Sequence, residues 1–159
     1  MDLSPELIEI KTKLERWCAY QDRCIDDFNK KIKTYNLTPS NKKKLLDDLI
    51  LHQFIDENRY IKSIISGKKN IKKWGKNKII NELKARNITP YCIKKALSEI
   101  NNKEYLQSLQ LIINLKKKEI KEKNKLIKTH KIALYCISRG YESDLVWDTL
   151  KKQNSEDNL

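Results

Sequence analysis

The sequence has 159 residues, a length that suits one compact domain or a short array of smaller units. Charged residues make up 35% of it and only three glycines and three prolines occur, which disfavours all-β folds, because their tight turns use these two residues. The net charge of +13 indicates an anionic partner, and no apolar run approaches the roughly 18 residues of a membrane-spanning helix.

The first predicted unit contains three helices and covers residues 1–54. Ser4-Pro5 predicts the first helix start, because a side-chain hydroxyl caps free backbone N–H groups and proline fits the first helical position. Apolar side chains then recur at spacings of three and four, as on one face of a helix. Thr38-Pro39 predicts the start of the third helix.

The same pattern then begins again twice. Asp56 is a candidate cap, residues 67–75 read as a polar connection, Gly75 opens a helix and Thr89-Pro90 starts another, which gives a second unit over residues 55–101. A third unit covers residues 102–159, where Arg139-Gly140 is a helix end signal. We expect its last residues, 151–159, to form a disordered tail.

An internal repeat supports this organisation. The corner Asn36-Leu37-Thr38-Pro39 recurs as Asn87-Ile88-Thr89-Pro90 at an offset of 51 residues, and Arg139-Gly140-Tyr141 repeats its outline at an offset of 53. We therefore predict an all-α protein made of three tandem three-helix repeats.

The positive charge is concentrated in the middle of the chain. Residues 1–60 have no net charge, residues 61–100 carry +9 and residues 101–159 carry +4. Residues 72–78 lie at a predicted helix start, where free N–H groups favour an anion. The main candidate contacts, to DNA phosphate or to an acidic protein surface, are Lys72, Lys73, Trp74, Lys76 and Lys78. The alternative is a solvated lysine-rich turn with Trp74 packed inward.

Five further residues are weaker candidates. Lys84, Arg86, Lys94 and Lys95 flank the same repeat and would extend the basic surface, or are ordinary exposed helix positions. Arg59 is either a surface contact or a partner of Asp56.

The sequence contains no set of residues suited to catalysis. The adjacent pairs Asp26-Asp27 and Asp47-Asp48 point about 100° apart on a helix, so neither converges on one atom. The four cysteines lack zinc spacing and lie in apolar patterns. We predict a protein that is not an enzyme, binds no metal or cofactor and resides in the reducing cytoplasm.

Three segments resemble the RecX family, regulators of the RecA recombinase. Residues 54–61, Phe-Ile-Asp-Glu-Asn-Arg-Tyr-Ile, resemble the segment that opens the middle repeat of that family. The likeness continues through Lys73-Trp74-Gly75-Lys76 and through Arg139-Gly140-Tyr141. The sequence departs from the family pattern at Ile61, where a small residue is usual, and at Asn87, where glycine is usual.

The resemblance implies an elongated, curved array of three-helix repeats without enzymatic activity. It implies a monomer that binds the groove of RecA filaments on DNA and limits filament growth, ATPase and strand exchange, in homologous recombination, DNA repair and the SOS response. Weak phosphate contacts to single- or double-stranded DNA are expected, with no membrane partner and with the basic residues facing DNA or acidic RecA residues.

The alternative is a general DNA-binding helical protein or helix-turn-helix regulator that acts without RecA. A recognition helix carries Arg, Gln or Asn near its N-terminus to read bases. The helix after Thr89 begins instead with Pro90-Tyr91-Cys92, which is poorly suited to that task.

Overall fold

The computed structural model describes residues 2–158, and the regular structure in this range is entirely helical. It consists of nine α-helices and one π-helix. The chain divides into two compact units, one up to Ser63 and the other from Ile64 onward. The predicted all-α class is confirmed, whereas the boundaries at residues 54 and 101 stay a prediction.

The first unit is built on α1 (Pro5–Tyr20), α2 (Ile25–Ile32) and α3 (Pro39–Leu51), and α3 packs against both other helices. The predicted caps are present, because the Ser4 hydroxyl accepts from Leu7 N and the Thr38 hydroxyl from Asn41 N. The core is formed by apolar side chains spaced three and four apart: Leu7, Ile10, Leu14, Cys18, Phe28, Ile32, Leu45, Leu49 and Ile55.

The boundary between the units falls within α4 (Glu57–Ile65), whose backbone is capped by the predicted Asp56. A π-helix (Ser66–Ile71) follows directly, where the sequence had indicated a polar connection over residues 67–75. The remaining helices of the second unit are α5 (Lys76–Ala85), α6 (Pro90–Ser98), α7 (Asn102–Glu119), α8 (Lys125–Ser138) and α9 (Ser143–Asp157). Helices α5 and α6 pack on each other, and α7, α8 and α9 pack as a trio.

Two corners of the second unit share one backbone arrangement. After α5, Ile88 N donates to Leu83 O and Asn87 N to Lys84 O, and Asn87 has a φ of +56°. After α8, Tyr141 N donates to Cys136 O and Gly140 N to Ile137 O, with a φ of +102° at Gly140. This pattern requires a left-handed residue after the helix cap, which glycine and asparagine adopt most easily. It explains why Asn87 can stand where the RecX family usually has glycine.

The expected disordered tail is wrong for residues 151–157, which continue α9 to Asp157. Contacts with neighbouring helices hold this segment. Lys117 Nζ donates to Gln153 at 2.9 Å and lies 3.5 Å from the Asp157 carboxylate, and Asn154 lies 3.5 Å from the Thr129 hydroxyl. Leu159 lies outside the described residues.

Among residues 2–158, no helix is both long and apolar enough to cross a membrane.

Candidate nucleic-acid interface

The basic segment of the second unit reverses direction between the π-helix and α5. Trp74 N donates to Lys68 O at 2.9 Å and Lys72 N to Gly67 O at 3.2 Å, so the end of the segment folds back on its beginning. Lys73 adopts a left-handed conformation with a φ of +56° to make this turn. The result is that side chains two to six residues away from Trp74 in the sequence meet at its ring.

Three lysine ammonium groups surround the Trp74 ring. The Nζ atoms of Lys78, Lys68 and Lys72 lie 4.4, 4.5 and 5.7 Å from the ring centroid. We call these four residues the Trp74 cluster. Trp74, Lys68 and Lys78 are half-buried and Lys72 is exposed. Within the part of the chain that the structure describes, none of these three ammonium groups forms an ion pair with a carboxylate.

The electrostatics of the cluster are those of crowded like charges. Burial, and after it the positive charge of the neighbouring Lys72, lower the pKa of Lys68 from its usual value, while the negative charge of Glu82 offsets part of this shift. Cation–π attraction to the indole opposes this repulsion. An anion placed among the ammonium groups would relieve it further.

The free N–H groups expected at the start of α5 are not free, so that part of the prediction is wrong. Gly75 N donates to Arg139 O at 2.8 Å and Asn77 N to Gly140 O at 2.9 Å. Lys76 N donates to the Tyr105 hydroxyl at 2.9 Å. The corner after α8 and the start of α7 therefore occupy the positions at which an anion was expected.

The same corner fastens the backbone of the cluster. The Tyr141 hydroxyl donates to Lys73 O at 2.9 Å, and the Arg139 guanidinium donates to Lys72 O. Tyr141 is fully buried, and burial raises its pKa to about 12. A methyl group on Gly75 would overlap the backbone of Gly140 and Tyr141, which explains the glycine at this helix start.

A buried tyrosine completes this junction. The Tyr105 hydroxyl donates to the Glu142 carboxylate while it accepts from Lys76 N, and the Tyr105 and Tyr141 rings lie 5.2 Å apart. Burial, together with the hydrogen bond to Glu142, raises the pKa of Tyr105. The network keeps both phenols protonated and the segment 72–77 fixed.

The other candidates of the middle repeat are not among the three cations of the Trp74 cluster, although the charge of Arg86 also lowers the pKa of Lys68. The Lys76 ammonium lies over the Tyr105 ring, 4.8 Å from its centroid. Lys73 and Arg86 are half-buried, and the side chains of Lys84, Lys94 and Lys95 are exposed on α5 and α6. The structure thus gathers Trp74, Lys72 and Lys78 at one ring and leaves the other candidates outside it.

Arg59 is engaged within the first unit. Its guanidinium lies 2.7 Å from Asp22 and donates to the Gln53 carbonyl at 3.1 Å, while its backbone N–H donates to Asp56 at 3.1 Å. This placement favours a structural role.

Sequence reasoning missed Lys68, because nothing in the sequence marks the π-helix that turns it toward Trp74. The charge run that contains it was visible, and a lysine six residues before the indole was the available signal.

The fold and the site together define a tandem three-helix repeat protein whose second unit carries a crowded cluster of cations. A family model described as "RecX, second three-helix domain" matches residues 56–97. The regulatory protein RecX of Clostridium acetobutylicum is 30% identical over 119 residues, which cover 72% of this chain and 55% of that relative. The chain resembles the RecX family over these residues.

Two solved structures share the fold. The crystal structure of RecX from Lactobacillus salivarius superposes with a TM-score of 0.87 at 15% identity, over 96% of this chain and 99% of that one. A crystal structure of regulatory protein RecX superposes with a TM-score of 0.80 at 17% identity, over 96% of this chain and 81% of that one. The chain spans about half the length of the Clostridium relative. RecX is a family of regulatory proteins and not of enzymes.

Proposed function

We propose that this chain regulates RecA as a negative modulator, binding the groove of the RecA–DNA filament and limiting filament extension, ATPase and strand exchange. The proposal is carried by one coincidence. The residues matched by the second three-helix domain, 56–97, largely coincide with the most basic stretch, residues 61–100, which hold 11 basic and 2 acidic residues. A polyanionic filament is a suitable partner for that charge.

The surface that we assign to the filament is the middle repeat. Its contacts are to DNA phosphate or to acidic RecA residues, and the exposed lysines of α5 and α6 add to the field of the Trp74 cluster. The chain acts as a monomer, without a membrane partner. The assigned residues are Lys72, Lys73, Trp74, Lys76, Lys78, Lys84, Arg86, Lys94 and Lys95.

The direct test is a titration of RecA ATPase on single-stranded DNA, with RecA from the same source. The proposal predicts inhibition at ratios well below one chain per RecA, because blocking one filament end stops the addition of many subunits. Unchanged ATPase at stoichiometric protein, with no binding to the filament, would contradict it.

The second candidate is a DNA-binding regulator that acts without RecA. The capped corner between α5 and α6 favours it, since Thr89 accepts from Cys92 N in the manner of a helix-turn-helix joint. Tyr91, at the start of α6, is exposed, whereas Cys92 is half-buried. Tight, sequence-specific binding to duplex DNA alone would favour this candidate.

A further inference from the structure

We infer that the Trp74 cluster binds the phosphodiester backbone of single-stranded DNA. Lys68, Lys72 and Lys78 contact neighbouring phosphates, and Trp74 positions their ammonium groups. The inference rests on the proposed function, because it names the partner of one part of the basic surface. Its test is made without RecA, so that the two can fail separately.

The first support is the convergence of charge on one point. All three ammonium groups lie within 5.7 Å of the Trp74 centroid, so no two of them are more than about 10 Å apart, close to the Debye length of physiological solution. Because dissolved salt screens charges only weakly over such a distance, the three ammonium groups repel one another. A ligand with several negative charges in the same space removes that repulsion, and a single carboxylate removes only part of it.

The second support is the spacing of the ligand's charges. A DNA strand carries one phosphate on every nucleotide, so a region of about 10 Å faces at least two neighbouring phosphates. A folded protein rarely presents three carboxylates so closely without pairing them. Ammonium groups also bind phosphate as point charges and need no planar partner, unlike the guanidinium fork that suits carboxylates.

The third support is the fixed backbone beneath the lysines. Lys72 O accepts from the half-buried Arg139 guanidinium and Lys73 O from the buried Tyr141 hydroxyl, so two groups of the same unit hold the turn. Less conformational freedom is then lost when the strand binds.

Trp74 positions the lysines and does not stack on a base. Two ammonium groups already lie 4.4 and 4.5 Å from its centroid, and a stacked base would have to displace them. Recognition is therefore independent of base identity. Binding should persist when the bases are absent, whereas base stacking on an aromatic ring contributes about fivefold or more for each base.

The experiment measures binding of the full chain to a fluorescent oligothymidylate and to an abasic strand of the same length, by anisotropy across a salt series. The cluster variant carries Lys68→Gln, Lys72→Gln and Lys78→Gln. The control variant carries Lys42→Gln, Lys43→Gln and Lys44→Gln on α3, which makes the same change in net charge. Circular dichroism melting establishes that both variants fold.

We expect the wild type to bind both strands with affinities within about threefold of each other. The cluster variant should bind at least tenfold more weakly at physiological salt, and its log–log salt slope should be shallower by about two, since each phosphate contact contributes about 0.7. The control variant should bind like the wild type. Trp74→Leu should lose several-fold in affinity with the slope nearly retained.

Three results would overturn the inference. Equal losses of DNA affinity in the cluster and control variants would show that binding depends on the net charge of the protein and not on the Trp74 cluster. Much weaker binding of the abasic strand than of the oligothymidylate would show that Trp74 stacks on a base. Wild type that binds no bare DNA, with RecA inhibition lost only in the cluster variant, would place an acidic protein surface at the cluster. The last result leaves the proposed regulation of RecA intact, whereas DNA binding without any effect on RecA removes the proposed function alone.

Discussion

Two tryptophans of this chain lie under cations, and only one of them is a candidate site. In the first unit the Trp17 ring faces Arg23 at 4.3 Å and Lys31 at 5.9 Å, and in the second unit Trp74 faces three lysines. Residues 1–60 contain as many acidic as basic residues, whereas residues 61–100, which surround Trp74 in the sequence, hold 11 basic and 2 acidic residues. A basic site is therefore marked by an excess of positive charge in its surroundings, more than by cations over an aromatic ring.

The largest expected effect comes from the junction that holds the Trp74 cluster. Gly75→Ala places a methyl group inside the backbone of Gly140 and Tyr141, and we expect it to lower the free energy of unfolding by about 3 kcal/mol or more. Urea denaturation measures this. Gly67→Ala is the matched control, because nothing lies within 4 Å of the added carbon and alanine favours a helix. Equal stability of the two variants would show that the junction is loose.

Alkaline pH should weaken the same junction. The pKa of Tyr141 is about 12 in the folded protein against about 10 in an unfolded chain, because the buried phenol resists ionisation. Its contribution to stability is complete below about pH 10 and is lost as the pH rises through 12. Chemical denaturation at a series of pH values should show this decline in the wild type and a flatter profile in Tyr141→Phe. If stability fell equally with rising pH in the wild type and in Tyr141→Phe, ionisation of Tyr141 would not be the cause of the decline.

In the first unit, loss of a paired cation should lower the stability of the protein and leave DNA binding at the Trp74 cluster unchanged. Arg59→Ala removes the contacts to Asp22 and to the Gln53 carbonyl, and we expect a loss of about 1 kcal/mol because these groups are partly exposed. Arg16→Ala removes an exposed arginine of α1 and serves as the control. Thermal melts that show no difference between the two variants would leave Arg59 available as a surface contact.

The smallest expected effect is at Lys73, the left-handed residue next to the Trp74 cluster. Lys73 has a φ of +56°, so Lys73→Gly should relieve strain of up to about 1 kcal/mol, offset in part by the greater freedom of glycine in the unfolded chain. Stability should change little or rise slightly. Lys73→Ala keeps the strain and removes the same charge. A lower stability for glycine than for alanine would argue against the turn as described.

The sequence was sufficient for local features and insufficient for those that depend on distant contacts. Ser4, Thr38 and Thr89 cap helices as predicted, because capping involves a hydroxyl and a backbone N–H only three residues apart. The occupied N–H groups at the start of α5 depend on Tyr105 and on the corner at Gly140, some 30 and 65 residues away. No local pattern announces such partners.

The candidate site was predicted in part for the same reason. The basic segment and Trp74 were visible as a concentration of charge beside an aromatic residue. Lys68 reaches Trp74 because it lies in the π-helix, which the sequence did not predict. Arg59 is a weaker candidate for a surface contact because it pairs with Asp22, which is distant in the sequence. The helical end of the chain was missed because Lys117, which holds Gln153, belongs to another helix.

The most direct test of the central claim is the ATPase of RecA on single-stranded DNA, titrated with the wild type, the cluster variant and the control variant. The account predicts that the wild type and the control variant inhibit at ratios well below one chain per RecA. The cluster variant should require at least about tenfold more protein, since its contacts to phosphate are lost. Equal inhibition by all three proteins would contradict the assignment of the Trp74 cluster, and no inhibition by the wild type would contradict the proposed regulation of RecA.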